Sequence, residues 1–196
     1  MSLLFRIVYA AHANGTHHKL ALDALNTLSG PDAQAWRRLF LKHAGLYMKG
    51  AKAPDDEFKD FQNHVLHVRD GYWGGALAAV ETWYAKLVAA LRAYAWSDAV
   101  YAAGVLSHYV TDPHHPFHTG QTEAESSIHR ACEWSISRSY RELRAQGELE
   151  FAAMPVIAGD GPAWLRQLIV EGTELANRSY ERLIAHYDIN RGVVDP

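Results

Sequence analysis

Two pairs of histidine and carboxylate residues are the feature of this chain with the clearest chemical meaning. His108 precedes Asp112 by four residues, and His129 precedes Glu133 by the same interval. On an α-helix, side chains four residues apart lie on one face, so each pair can hold a metal ion between an imidazole nitrogen and a carboxylate oxygen. Zinc takes these ligands at about 2.0–2.2 Å. His118 follows a proline that breaks the first helix and can turn back toward the same centre, so the pattern predicts a zinc site.

Histidine is also the residue type that departs most from ordinary usage, with 12 in the chain. Taken singly, a histidine is usually a surface residue or a polar residue of the core whose hydrogen bonds are satisfied. Most of these histidines, however, lie in or beside the same segments as aspartate and glutamate residues at ligand spacing. The clustering therefore favours metal ligands for the set. His114 and His115, in a tight loop, are expected to be exposed or to support ligands.

The chain has 196 residues, of which 48% are hydrophobic and 21% are charged, and this composition is typical of a globular protein. The length predicts one domain over residues 1–196. The net charge of −3 gives no electrostatic footprint for long nucleic acid, so no stable nucleic-acid complex is expected. No stretch approaches the roughly 20 apolar residues of a membrane span. The single cysteine, Cys132, excludes an internal disulfide and leaves the compartment undecided, and the oligomeric state is open as well.

The elements that must position these residues are predicted to be helices almost throughout. Thr16 can cap a helix that ends before Gly30, and Pro31 suits the first turn of a second helix. Further helices are predicted over residues 76–94, 99–111, 123–144 and 163–187, with a loop over 50–54, a short helical or irregular stretch over 55–64 and a loop over 113–122. Because no alternating run is long enough for a sheet, the fold predicted is an all-α bundle with ligands drawn from several facing helices.

The first thirteen residues allow three interpretations. Residues 3–13 are apolar and end in a small-x-small pattern typical of a signal-peptide cleavage site. They lack a basic leading region and are short for the apolar core of a signal peptide. The segment is therefore a remnant of a secretion signal, a junction left by cloning, or a stretch packed on the body of the protein.

Taken together, the motifs resemble those of the zinc-dependent phospholipases C and of the single-strand nucleases of the S1/P1 type. The family pattern H-x3-D-x5-H is matched by His108, Asp112 and His118. The following pattern H-x3-E is matched by His129 and Glu133. The family fold is all-α, and its centre holds three zinc ions.

Upstream segments extend the resemblance in the family's order. Pro54-Asp55 matches the Pro-Asp loop of the family, and His64 matches the histidine that follows it. Asn14-Gly-Thr-His17 resembles the segment that leads an apolar helix in the phospholipase branch. The matches run from about residue 12 to residue 133, and their joint order is far more specific than any one of them.

The resemblance implies which residues hold the three zinc ions. One ion would be held by Asp55, His64, His108 and Asp112, a second by His118, His129 and Glu133, and a third by His17 and a bridging Asp112. Relatives complete the third site with a processed N-terminal tryptophan, whereas the first tryptophan here is Trp36. His12 precedes His17 by five residues, which is the tryptophan-to-histidine spacing of the nuclease branch. We therefore expect the His12 imidazole to replace the α-amino group of that tryptophan as a zinc ligand.

The resemblance also implies the reaction, which is hydrolysis of a phosphoester substrate, a phospholipid headgroup or a nucleotide. A metal-bridging hydroxide would attack phosphorus, and the zinc on His118, His129 and Glu133 would stabilise the leaving alkoxide. Asp55 would orient or deprotonate the water besides serving as a ligand. Relatives are secreted or periplasmic, and the same is expected of this chain although no complete signal peptide is visible.

Three functions remain open from the sequence. Glu133 and the short gap between His118 and His129 favour a phospholipase C. The spacing of His12 and the absence of a second, lipid-binding domain weaken that choice in favour of an S1/P1-type nuclease. The alternative of another class is a non-catalytic metal-binding helical module. Structural zinc sites are normally closed and commonly contain cysteine, so ligand sets of histidine and carboxylate favour an enzyme.

Overall fold

The computed structural model describes residues 2–150 and 162–188. Helices dominate these residues, which form no strand, and an isolated bridge pairs His67 with Trp73. The prediction of an all-α fold is therefore confirmed. Among the described helices, none combines the length and the apolar character needed to cross a membrane.

The helices are numbered in chain order. The first six are α1 Leu3–His12, α2 Thr16–Thr27, α3 Ala33–Lys42, α4 Ala44–Ala53, α5 Ala76–Arg92 and α6 Trp96–Thr111. The others in the described residues are α7 Glu123–Arg138, α8 Tyr140–Glu150, α9 Pro162–Asn177 and α10 Tyr180–His186. A π-helical turn covers Pro54–Phe58, and 3-10 turns cover Phe61–His64, Val68–Asp70, Asp112–His114 and Pro116–His118.

The chain separates into two compact units. The first unit consists of Met1–His64 with Gly74–Asp112, and the second consists of Val65–Trp73 with Pro113–Pro196. A compact unit need not fold alone, so one domain over residues 1–196 stays a prediction.

The core of the first unit forms where α1, α2, α4 and α6 pack together. The side chain of Ser2 accepts a hydrogen bond from the backbone N–H of Phe5 and caps α1. α1 buries Phe5 and Val8 against a cluster that includes Leu22 and Tyr47. Burial of each large apolar side chain contributes about 1.5–3 kcal/mol. Residues 3–12 thus contribute to the core, whereas the processing of this segment stays an open prediction.

Two glycines let α4 and α6 approach each other backbone to backbone. A Cβ added to Gly104 would lie 2.9 Å from the backbone nitrogen of Ala51 and 3.0 Å from the Cα of Gly50. A Cβ added to Gly50 would lie 3.1 Å from the Cα of Gly104. Backbone atoms cannot yield as a flexible side chain can, so only glycine fits here. The close contact places His108 of α6 beside the carbonyl of Ala51.

The predicted loop over residues 50–54 is wrong. α4 continues through Ala53, and Pro54 has helical backbone angles (φ −56°, ψ −44°) that carry the chain into the π-helical turn. Gly50 was expected to interrupt a helix, but it serves the contact with α6 instead. Its cost within a helix, about 1 kcal/mol relative to alanine, is offset by that packing.

Other predicted helices are interrupted by breaks of one or two residues. His43 separates α3 from α4, and Ser139 separates α7 from α8. Gly15, not Thr16, is the N-cap residue of α2. None of these breaks moves a candidate ligand off its element.

In the second unit, α7 and α10 pack around the 3-10 turn Pro116–His118. Thr122 caps α7 by accepting a hydrogen bond from the N–H of Glu125. The core cluster there contains Phe117, Ile128, Cys132 and Tyr180. Burial raises the pKa of the Cys132 thiol to about 11, with a smaller contribution from Glu133. Cys132 is thus an unreactive packing residue.

Candidate metal centres

The C-terminal end of α6 brings a predicted ligand group together in the first unit. His108 Nε2 lies 3.1 Å from Asp112 Oδ2, and His64 Nδ1 lies 2.7 Å from the same oxygen. Asp55 Oδ1 lies 3.5 Å from His108 Nε2 and 3.8 Å from His64 Nδ1. All four residues named for the first zinc site by the resemblance therefore meet, and His64, His108 and Asp112 are buried.

Lys52 determines which oxygen of Asp55 faces this group. Its Nζ lies 2.7 Å from Asp55 Oδ2, one turn away along the chain. Burial raises the pKa of Asp55, but the charges of His108 and Lys52 outweigh burial and lower the pKa below its ordinary value. The carboxylate therefore stays ionised, with Oδ1 directed toward the two histidines.

His17, from the first turn of α2, faces the other oxygen of Asp112. Its Nε2 lies 3.3 Å from Asp112 Oδ1, and its ring stacks on His108 with centroids 3.8 Å apart. Two imidazoles on one tetrahedral ion have ring centroids about 5 Å apart, as follows from zinc–nitrogen distances of about 2.0–2.1 Å. His64 and His108, at 4.9 Å, meet that value, whereas His17 and His108 do not. The two oxygens of Asp112 thus face different histidines, Oδ1 facing His17 and Oδ2 facing His64 and His108.

The outer nitrogens of His17 and His108 are held by hydrogen-bond acceptors. His108 Nδ1 lies 2.8 Å from the carbonyl oxygen of Ala51, and His17 Nδ1 lies 3.1 Å from Thr111 Oγ1. The Thr111 hydroxyl itself donates to the carbonyl of His108 and so accepts from His17. An N–H directed outward leaves a lone pair on the inward nitrogen, which is how zinc-binding histidines are oriented. Burial lowers the pKa of His17 to about 4 despite Asp112, so this imidazole is neutral at pH 7.

Asp60 is a residue of the site that the motifs do not reveal. Its Oδ1 lies 3.5 Å from the outward nitrogen of His64, Nε2. The hydroxyl of Tyr109 donates to both oxygens of Asp60, at 2.8 and 2.7 Å, and Asn63 Nδ2 donates to Oδ2 at 2.7 Å. Burial and the bond to Asp60 raise the pKa of Tyr109, so its hydroxyl remains a donor. The sequence shows that Asp60 precedes His64 by four residues, but it does not show that Tyr109 of α6 contacts Asp60.

His118, His129 and Glu133 come together within the second unit. Glu133 Oε1 lies 3.3 Å from His118 Nε2 and 3.2 Å from His129 Nε2. The two imidazole centroids are 5.1 Å apart, again close to the value for one shared ion. Burial raises the pKa of Glu133, but the hydrogen bonds with both histidines outweigh it and lower the pKa below its usual range. This is the set named for the second zinc by the resemblance.

Glu125 orients His129 in the same way that Ala51 orients His108. It lies one turn earlier on α7, is 3% exposed, and accepts a hydrogen bond from His129 Nδ1. A buried carboxylate requires such a partner. The bond leaves His129 Nε2 to face Glu133. Helical spacing is the one sequence signal that could have identified Glu125.

His115 lies near these ligands but is bonded differently. One ring nitrogen of His115 lies within 4.8 Å of a ring nitrogen of both His118 and His129. Its Nδ1, however, accepts the N–H of Phe117 at 3.2 Å and so caps the 3-10 turn Pro116–His118. A neutral imidazole that accepts at Nδ1 carries its proton on Nε2 and has no second lone pair for a metal. Glu133 as the third ligand beside His118 and His129 stays a prediction. His114 is exposed.

His12 stands apart from these sets. It ends α1, is partly exposed, and belongs to none of the groups of three or more potential ligands found in the described part of the chain. His17, five residues later, does belong to such a group, with His108 and Asp112. The role of His12 as a ligand stays a prediction.

A helical scaffold on which imidazoles and carboxylates converge offers the nitrogen and oxygen ligands that zinc takes in metal-dependent hydrolases. The family model described as zinc dependent phospholipase C matches residues 16–172 of the chain. The protein therefore belongs to the zinc-dependent phospholipase C family. This family consists of zinc-dependent hydrolases of phosphoric esters, which confirms the resemblance and makes zinc the expected metal. No curated protein is significantly similar to the chain.

Proposed function

We propose that this protein is a phospholipase C-like phosphodiester hydrolase that binds three zinc ions. The observation that supports this most strongly is the position of Asp112, whose Oδ1 faces His17 while its Oδ2 faces His64 and His108. A carboxylate placed in this way suits a bridge between two cations. The ligands would be Asp55, His64, His108 and Asp112 for one ion, His17, Asp112 and His12 for another, and His118, His129 and Glu133 for the third.

Bound zinc would supply the Lewis acidity for phosphodiester cleavage, by lowering the pKa of a water molecule and neutralising charge on the phosphate. The chain's own residues would position the reacting groups. We propose that Asp55 orients the attacking water, because Lys52 occupies Oδ2 and leaves Oδ1 facing the ligand group. Its lowered pKa makes it a weak base, so hydrogen bonding that orients the water is its better role.

A single-strand nuclease of the S1/P1 type is the second candidate. The five-residue spacing between His12 and His17 supports it, because that spacing matches the nuclease branch. The family match and Glu133 support the phospholipase instead. The two candidates share their metal chemistry and differ in the molecule that carries the phosphodiester.

We expect purified, zinc-replete protein to hydrolyse a phosphatidylcholine emulsion, to lose this activity in a chelator and to regain it when zinc is added. Single-stranded DNA is the matched comparison, tested in the same buffer. Cleavage of DNA alone would move the function to the nuclease branch. If neither substrate is cleaved by protein that contains zinc, the non-catalytic module becomes the better interpretation. Elemental analysis that finds no zinc would reject the metalloenzyme altogether.

We expect His12→Ala to lose about one zinc ion and to retain two, since an internal imidazole can bind zinc as a neutral ligand. Elemental analysis of the folded variant measures this, with His43→Ala as the control histidine outside the ligand groups. An unchanged zinc content would show that His12 is not a ligand. The competing hypothesis is that the chain is cleaved after Ala13 and that the exposed amino group of Asn14 completes the third site. Mass spectrometry of the native protein detects such cleavage.

A further inference from the structure

We propose that Asp60 and Tyr109 form a positioning pair that orients the imidazole of His64 and thereby sets the affinity of the zinc ion that His64 holds. The inference rests on the ligand set of the proposed function. Neither residue belongs to that set, and Asp60 is in none of the groups of potential ligands found in the described residues. They act through His64.

The carboxylate of Asp60 is fixed from several sides. The Tyr109 hydroxyl lies within 2.8 Å of both of its oxygens, and Asn63 Nδ2 lies 2.7 Å from Oδ2. A donor shared by both oxygens holds the plane of the carboxylate, and the amide holds its rotation. The side chain of Asp60 is 32% exposed, so an unrestrained carboxylate at this position would turn to water. The restraint leaves Oδ1 beside His64 Nε2.

Tyr109 reaches Asp60 because of its place on α6. It follows His108 directly, and consecutive side chains on an α-helix point about 100° apart. His108 therefore faces the ligand group, while the fully buried ring of Tyr109 passes beside it toward Asp60. One helix thus supplies a ligand and the residue that orients a ligand on another element.

The turn that carries His64 is held in place as well. The N–H of Asn63 donates to the carbonyl of Asp60 at 2.7 Å, and the N–H of Gly75 donates to the carbonyl of Gln62 at 2.8 Å. The backbone therefore positions the Cα of His64, and what remains free is the rotation and the tautomer of its ring. With zinc on Nδ1, the ring proton would lie on Nε2, where Asp60 is the carboxylate placed to attract that proton and to fix the ring.

The consequence concerns Nδ1 of His64. Nδ1 lies 2.7 Å from Asp112 Oδ2 and 3.2 Å from His108 Nε2, so zinc bound there would displace the proton that Nδ1 donates to Asp112. Without Asp60, the N–H that zinc binding leaves on Nε2 has no carboxylate beside it, and zinc competes less well for Nδ1. Loss of such an orienting partner typically costs about 10–100-fold in metal affinity.

The test compares D60N and Y109F with Y47F as the matched control. Tyr47 is also a buried tyrosine, and its hydroxyl donates to the carbonyl of Ala21 at 3.0 Å. Zinc dissociation constants are measured by chelator competition, and the ring nitrogen of His64 that carries the proton is identified by ¹⁵N NMR of the zinc-loaded protein. We expect D60N to weaken one bound zinc by about 10–100-fold. Y109F should weaken the same ion less, and Y47F should leave every zinc affinity unchanged.

The outcomes separate this inference from the proposed function. Wild-type affinity for all ions in both D60N and Y109F overturns the inference and leaves the proposed function intact. An equal loss in Y47F and Y109F also overturns it, because the effect is then one of general stability. If wild-type protein binds no zinc, the proposed function fails and the inference that rests on it fails as well, whereas the first two outcomes overturn the inference alone.

Discussion

Asp112→Ala should remove hydrolytic activity and lower the zinc content of the purified protein. Both oxygens of Asp112 face histidines of the proposed ligand set, so its loss affects two ions at once. The fall in kcat/KM should exceed the roughly 100-fold expected for a residue that only supports a ligand. Activity on the preferred phosphodiester and elemental analysis of the same sample measure the two effects together.

His108→Ala and His114→Ala are the comparisons for this prediction. His108 lies on the same face of α6 as Asp112, and its removal should abolish activity as well. His114 is exposed and lies two residues after Asp112, so its removal should have a small effect. Equal losses from all three variants would show that the ligand face has been assigned wrongly.

Gly50→Ala should lower the free energy of unfolding, because adding a methyl group where no space exists usually costs about 1–3 kcal/mol. The new Cβ would press on the backbone of α6 near Tyr101 and Gly104. The intrinsic preference of a helix for alanine, about 1 kcal/mol, works in the opposite direction and makes the net loss smaller than the steric cost. Urea unfolding followed by circular dichroism measures the change.

Gly45→Ala is the matched control, because Gly45 lies on the same helix and a Cβ there would meet nothing within 4 Å. This variant should be neutral or more stable by up to about 1 kcal/mol. A Gly50→Ala protein as stable as Gly45→Ala would mean that the backbones of α4 and α6 leave room for a methyl group between them. The pair therefore tests the packing independently of any metal.

The ligand groups are the part of the site that could be predicted from sequence. His108 with Asp112, and His129 with Glu133, are local pairs, and helix periodicity alone brings each pair together. The structure places His64, 44 residues before His108, beside it. Only the resemblance predicted that contact, since helix periodicity does not relate residues on separate elements.

The sequence alone could not identify the residues that orient the candidate ligands. Glu125 lies one turn from His129, so its spacing was available but carried no motif. Tyr109 lies 49 residues from Asp60, and their contact exists only because α6 passes the turn that carries Asp60. The glycines of α4 and α6 are a similar case, because the approach of two backbones decides whether Gly50 ends a helix or belongs within one.

The position of these ligands at the end of α6 has an electrostatic consequence. Asp112 is the C-cap residue of α6, and its N–H bonds the carbonyl of His108. The last turn of a helix carries a partial negative charge of about half an electron, which attracts cations and repels anions. Together with the carboxylates of Asp55 and Asp112, this end of the helix would oppose a phosphate group that arrived before the metal. Under the proposed function, cations held by these residues would reverse the local potential and so give the anionic substrate an attractive site.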